Sequence, residues 1–239
     1  MRVRLFILFI FISNTIFGIE IETQDSTKKI QFNYKADFMS QHLWRGYAMC
    51  DVPSVEPSVD LFFKGFGVGI WSAVSIDGKY FELDTYLKYT YQGFSFGIYD
   101  YYCPGSISSN HSVFNFSRYN TKHTIDLHFE YEWNSSFPLK VLVATMIYGD
   151  DLNIETNKNQ YSTYLELAYY FKIENFKVEY FVGYNPFKSY YGEKPAIINA
   201  GIKSKGILKL FRNKQIPLQA SIVNNPLTNK IYMVFGFEL

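Results

Sequence analysis

Long apolar runs are missing. After residue 20 no stretch approaches ~18 consecutive apolar residues, so membrane-spanning helices are excluded. Cysteine is scarce: Cys50 and Cys103 are the only two in 239 residues, and neither closely follows the N-terminal apolar segment, so a lipoprotein is not expected. Charge of one sign is missing too. The net charge of +1 gives no case for a nucleic-acid partner. Eight prolines and fifteen glycines are ordinary counts and mark no disordered linker. With four histidines, His42, His111, His123 and His128, there is little material for a histidine-based site.

What is present is alternation. In Tyr80–Tyr91, Phe81, Leu83, Leu87, Tyr89 and Tyr91 share one face, and Glu82, Asp84 and Lys88 share the other. Successive strand side chains point to opposite sides, so the segment reads as a strand with one apolar and one charged face. The pattern repeats almost to the last residue. A soluble sheet would need a second layer to cover so many apolar faces; a closed barrel in lipid needs none. Aromatics make up 20% of the chain (Tyr 21, Phe 23), an excess suited to lipid-facing bands and interfacial girdles. Mean hydropathy is only −0.10, as expected when half of each strand is polar.

The N-terminus reads as a targeting segment. Arg2 and Arg4 precede the apolar stretch Leu5–Ile12, which is too short to cross a bilayer, and Ser13–Gly18 leads to cleavage after Gly18. The expected division is a signal peptide at 1–18 and a barrel at 19–239. Export implies an oxidising compartment.

About twelve strand candidates follow, at 30–40, 54–63, 66–74, 80–91, 93–102, 122–132, 138–148, 160–172, 175–185, 195–203, 217–223 and 230–238. Each is near the ~9–11 residues that a tilted membrane strand requires. Connections alternate between tight ones (Lys64-Gly65, Gln92-Gly93, Asn134–Phe137, Ile173-Glu174) and longer polar stretches (41–53, 75–79, 103–121, 149–159, 186–194, 224–229). Outer-membrane barrels have short periplasmic turns and longer external loops, and an even strand count places both termini in the periplasm. The connection 204–216 is long for a periplasmic turn, unless the two flanking strands extend into it.

The faces follow. Ile125, Leu127, Phe129, Tyr131 and Trp133 oppose Asp126, His128, Glu130 and Glu132. Leu165, Leu167, Tyr169 and Phe171 oppose Tyr164, Glu166, Tyr170 and Lys172; Phe176, Val178, Tyr180, Val182 and Tyr184 oppose Lys177 and Glu179. A charge on the lipid face costs ~2–4 kcal/mol at the midplane, so the charged faces line the lumen. The last strand places Ile231, Met233, Phe235, Phe237 and Leu239 on one face. That resembles the C-terminal assembly signal of outer-membrane barrels, with Leu in place of the usual final Phe, and implies the barrel-assembly machinery as a partner during biogenesis.

Between Asp37 and Gly105 lies an ordered set of motifs. Phe38–Gly46 ends in Trp44-Arg45-Gly46, Val55–Asp60 follows, then Gly69-Ile-Trp71-Ser72, the acidic strand Glu82-Leu-Asp84-Thr-Tyr86, and Tyr101-Tyr102-Cys103-Pro104-Gly105. The set is similar to the TorF-type porins of bacterial outer membranes. Their pattern is an extended segment ending in Arg-Gly, a Gly-x-Trp-x-Ser strand, an acidic-aromatic strand and a Tyr-Tyr-x-Pro-Gly turn. Two departures stand out. Ser72 directly follows Trp71, one residue early, and Cys50 and Cys103 flank motifs where the family is not expected to carry cysteine. The resemblance covers the first half of the mature chain and implies transport.

Candidate chemistry is sparse. Gly93-Phe-Ser95-Phe-Gly97 matches the hydrolase Gly-x-Ser-x-Gly pattern, but that mechanism needs a strand-to-helix turn, and Ser95 lies inside an alternating strand. His42 and His111 fall in loops, His123 begins the sixth strand and His128 lies on its lumen face, with no local nucleophile. No enzyme and no catalytic residue are expected. Asp126, His128 and Glu130 share one face at about 7 Å spacing; lysines across the barrel (Lys88, Lys140, Lys172, Lys177, Lys203) can satisfy these charges, and neither metal nor cofactor is expected. Arg45, at the external end of the first strand, either packs on an aromatic and pairs with a lumen carboxylate or forms a constriction. Cys50 and Cys103, in loops on the same side, are either a disulfide or two free thiols.

The expectation is a twelve-stranded, all-β antiparallel transmembrane barrel in the outer membrane of a Gram-negative bacterium. Its partners would be the lipid bilayer and the small hydrophilic solutes or ions that diffuse through a lumen lined by Glu82, Asp84, Lys88, Asp126, His128, Glu130, Glu166, Lys177 and Glu179. The acidic fourth and sixth strands suggest weak cation preference. The alternative is a non-conducting structural or binding barrel whose external loops recognise a partner, with Phe114, Phe116 and Tyr119 as contact residues.

Overall fold

The computed structural model describes residues 30–133, 137–209 and 215–239. The expected signal peptide at 1–18, the segment 19–29 and most of the tight turn at 134–137 lie outside the described residues. Fourteen strands are described: β1 Gln31–Met39, β2 Leu43–Trp44, β3 Tyr47–Ala48, β4 Ser54–Phe63, β5 Phe66–Ser75, β6 Phe81–Tyr91, β7 Phe94–Gly105, β8 His123–Glu132, β9 Leu139–Gly149, β10 Thr163–Ile173, β11 Phe176–Asn185, β12 Ala196–Lys209, β13 Gln215–Asn225 and β14 Lys230–Glu238. Twelve of them form one closed antiparallel barrel; β2 and β3 form a separate two-stranded sheet.

Each barrel strand pairs with its sequence neighbours, and closure comes from β1. On one side β1 pairs with β4 along its whole length, from Gln31↔Phe62 to Met39↔Ser54. On the other it meets β14 only through Asp37↔Glu238, Phe38↔Phe237 and Met39↔Gly236. Bonds between Ala36 and Leu239 and from Ser40 N to Phe235 O (2.8 Å) extend that seam at each end.

Two of the tight connections use the same turn chemistry. Lys64 and Gly65 have φ of 49° and 85°, and Gln92 and Gly93 have 49° and 86°. Positive φ at both central residues is the turn whose twist matches two right-twisted strands. The barrel is apolar outward: Val59, Leu61, Val68, Ile70, Leu87, Phe96, Leu167, Val182, Met233 and Phe235 are all exposed. It is polar inward, with Glu56, Glu82, Asp126, Glu179 and Asn199 buried.

Three details depart from the expectations. Strand β12 runs six residues past the expected end at 203, to Lys209, because pairing with β13 continues through Lys205↔Gln219 to Lys209↔Gln215. Strand β7 continues to Gly105, because β6 still pairs it at Phe81↔Gly105. This carries Cys103 from a loop onto a strand. The stretch 41–53 is not an outward loop: it contains β2 and β3 and turns into the barrel.

Candidate functional site

At the long-loop end the lumen holds the turn of this inward hairpin. Leu43↔Ala48 and Trp44↔Tyr47 pair, and Arg45 and Gly46 form the turn with φ of 46° and 85°. Gly46 seats against the far wall. A Cβ there would lie 2.0 Å from the Ile198 carbonyl oxygen of β12. Asn225 Nδ2, at the end of β13, donates to the Gly46 carbonyl at 3.1 Å.

Beside Gly46, Arg45 reaches the opposite strands. Its Nη2 donates to Asp126 Oδ2 at 2.8 Å and lies 3.1 Å from His128 Nε2, both on β8. Its Nη1 donates to the Tyr191 hydroxyl. The guanidinium carbon lies 4.6 Å from the Trp44 ring centroid and 5.0 Å from that of Tyr164. Burial disfavours the guanidinium charge, but the Tyr191 hydroxyl and the Asp126 carboxylate outweigh it and keep Arg45 charged. Asp126 is fully buried. Its partner is therefore not a screened surface contact but the group that offsets the burial of a carboxylate.

The base of the hairpin is held from the other wall. His42 Nδ1 lies 3.0 Å from Glu56 Oε1 of β4, and Nε2 lies 3.4 Å from Glu82 Oε2 of β6. Ser54 Oγ also donates to Glu56 at 2.7 Å, and the Tyr80 hydroxyl donates to Glu82. The ring packs against Trp71 and Tyr80 at 5.2 and 5.7 Å between centroids. Burial works against the imidazolium, but the hydrogen bond to Glu56 and the nearby Glu82 carboxylate prevail and hold His42 up at about 9. The hairpin thus crosses the lumen from β4 and β6 to β12 and β13. Tyr164, Tyr191, Met146 and Ile198 pack beside it as a buried cluster.

Below the hairpin lies a cavity of about 590 Å³. Its ceiling is His42–Gly46, and its walls carry Glu166, Lys177, Glu179, Phe181, Lys203, Lys205, Gln219 and Val223.

The nine expected lumen residues fall into groups. Glu82, Asp126 and His128 bind the hairpin. Asp84 lies between Trp71 and Tyr101 in register, and its Oδ1 is buried without a partner. Lys88 sits over the rings of Phe62 and Tyr86 at 5.2 and 5.3 Å. Glu130 is 3.9 Å from Lys140. Glu166 accepts from the Tyr164 hydroxyl at 2.5 Å. Lys177 stands 3.8 Å from the Tyr170 ring centroid. Glu179 is 2.8 Å from Lys203 Nζ. Cys50 and Cys103 are free thiols: Cys50 Sγ donates to the Val52 carbonyl, and Cys103 Sγ to Glu82 Oε1, each at 3.3 Å.

The remaining motifs fall on barrel strands. Ser95 Oγ is 2.8 Å from Thr90 Oγ1 across the β6–β7 hairpin. His123 is buried with Nδ1 2.8 Å from Asp100 and Nε2 2.8 Å from the Val113 carbonyl, so neither ring nitrogen is open. Sequence reading did not single out Glu56, Tyr191 or Asn225, which hold the hairpin from β4, the 186–195 connection and β13. One available signal was Arg45-Gly46 itself, which repeats the residue-Gly chemistry of the Lys64-Gly65 and Gln92-Gly93 turns.

No family model matches the chain, and no curated protein matches it. The likeness to the TorF-type porins therefore stands on the Asp37–Gly105 motifs.

Proposed function

We propose that this chain is an outer-membrane barrel of the porin-like class, passing ions and small hydrophilic solutes by diffusion through a lumen narrowed by the β2–β3 hairpin. The observation that carries this reading is the placement of Arg45. An inserted turn, unlike a wall strand, narrows a lumen, and charged residues at a constriction set what passes. Twelve strands enclose a bore between that of side-chain-filled eight-stranded barrels and that of sixteen-stranded open channels. The exposed apolar belt supports lipid as the surroundings, since an unsheathed band of this size is a hazard in water. The motif likeness to the TorF-type porins points the same way. No catalytic role is part of the proposal, and export through residues 1–18 with assembly through the C-terminal strand belongs to it.

The test is recording from the refolded mature protein in planar bilayers. Small, ohmic, single-channel steps are expected. Silence at every voltage would overturn the reading.

A second reading, a non-conducting barrel that binds a partner through its external loops, is favoured by one feature. Phe114 is 87% exposed in the 106–122 connection, which also exposes Tyr119 at 66%. Exposed aromatics at a rim are anchors for a protein partner. Silence in bilayers together with loss of partner capture on Phe114→Ser would establish it.

A further inference from the structure

Sequence alone points to a cation-preferring lumen, from the acidic residues of β6 and β8. The structure ties up two of those charges; of the others, Asp84 is sunk in the wall and Glu130 stands 3.9 Å from Lys140. Glu82 faces His42, and Asp126 faces Arg45, so the hairpin's own cations occupy the acidic wall. The opposite wall carries a group of lysines. There the charged side chains differ in reach. Lys177, Lys203 and Lys205 are 35%, 46% and 44% exposed, whereas the cavity carboxylates Glu56 and Glu179 are 11% and 8% exposed. Glu166, half-buried, also lines the cavity, and Lys203 and Lys205 are its most exposed charged side chains.

The spacing of these lysines adds a second, independent point. Lys177 pairs in register with Lys172 on β10 and with Lys205 on β12. Three lysines therefore stand side by side across three adjacent strands, with Lys203 one lumen position along from Lys205. Directly opposed like charges destabilise a sheet, with Cβ atoms about 5 Å apart. Glu132, at 3.9 Å from Lys177, and Glu238, at 2.9 Å from Lys205, offset part of this from the rim of the patch. Glu179 pairs with Lys203 at 2.8 Å, and an anion seated over Lys177 and Lys205 would offset what repulsion remains. Next to the lysines the same cavity is apolar, with Leu43, Phe181 and Val223 packed together.

We propose that the cavity beneath the hairpin is a binding site for a small organic anion, its charged oxygens on Lys177, Lys203 and Lys205 and its short apolar body on Leu43, Phe181 and Val223. Lysine ammonium groups act as point charges with rotatable donors, so the site selects charge and size rather than a planar head-group geometry. The proposal deepens the porin-like reading, and rests on it for the access of solute to the lumen.

The test is calorimetric titration of the mature barrel, refolded into lipid nanodiscs, with butyrate and with butylammonium, which share an apolar body and differ in charge. Saturable butyrate binding is expected, with butylammonium at least tenfold weaker. The combined change Lys177→Gln, Lys203→Gln, Lys205→Gln is expected to weaken butyrate at least tenfold. Absence of saturable butyrate binding, equal binding of the two probes, or an unaffected triple variant would overturn the site. The comparison of probes uses the unmodified barrel, so a misfolded variant does not blunt it. Conduction is not needed for the titration: binding by a silent barrel counts against the channel alone, and a conducting barrel without charge preference counts against the site alone.

Discussion

Arg45 and Asp126 lie 81 positions apart in sequence and 2.8 Å apart across the lumen, and Asp126 has no exposed surface. Alternation along a strand accounts for only one of the two. Asp126 is on the lumen face of β8, but Arg45 reaches it only because a two-residue turn projects into the barrel. A buried ion pair adds little stability over a well-packed apolar pair, yet removing one member leaves an uncompensated charge. Its effect here is to fix where the hairpin sits.

The pair makes an asymmetric prediction. Arg45→Ala should destabilise the barrel by about 3–5 kcal/mol, whereas Arg45→Met combined with Asp126→Leu should be close to neutral. Urea unfolding followed by tryptophan fluorescence measures both, and simple additivity of the two single changes would show that the residues are not coupled.

His42 makes a pH prediction. Its folded value of about 9 lies above the unfolded 6.5, so the stability it contributes is fully present below about pH 6.5 and is lost as pH rises through 9. The upper bound is between about 3 and 4 kcal/mol, from 1.36 kcal/mol per pH unit of displacement. The groups that face it are Glu56, Glu82 and the Tyr80 hydroxyl that donates to Glu82. Unfolding midpoints between pH 6 and 9.5 should decline for the natural chain and stay flatter for His42→Gln.

Gly46 makes a steric one. A methyl group there meets backbone at 2.0 Å, and the φ of 85° costs a side-chain-bearing residue a further ~1–2 kcal/mol. Gly46→Ala should unseat the turn and expose the peptide bond that follows Arg45. Trypsin added to the folded barrel is expected to cleave the variant there and to spare the natural chain.

The barrel itself was legible because dyad alternation reports directly on a wall with one wet and one apolar face. β4 and β14 begin and end where alternation and turn residues place them. The hairpin was not. Leu43-Trp44 and Tyr47-Ala48 are too short to show a period, and a polar stretch between two strands reads as an external loop. Arg45 was legible as a residue that packs on an aromatic and meets a lumen carboxylate, but its position depends on contacts with β8, β10, β12 and β13 that no local pattern encodes. The reach of lysines against sunken carboxylates is likewise invisible in sequence, where Lys177 and Glu179 are simply opposite charges on one face.

Conductance before and after removal of the hairpin tests the central claim most directly. With Leu43–Ala48 replaced by a short Gly-Ser segment, single-channel conductance in planar bilayers should rise several-fold over that of the natural barrel. Identical conductance, or silence from both, would contradict a diffusion path narrowed by this turn.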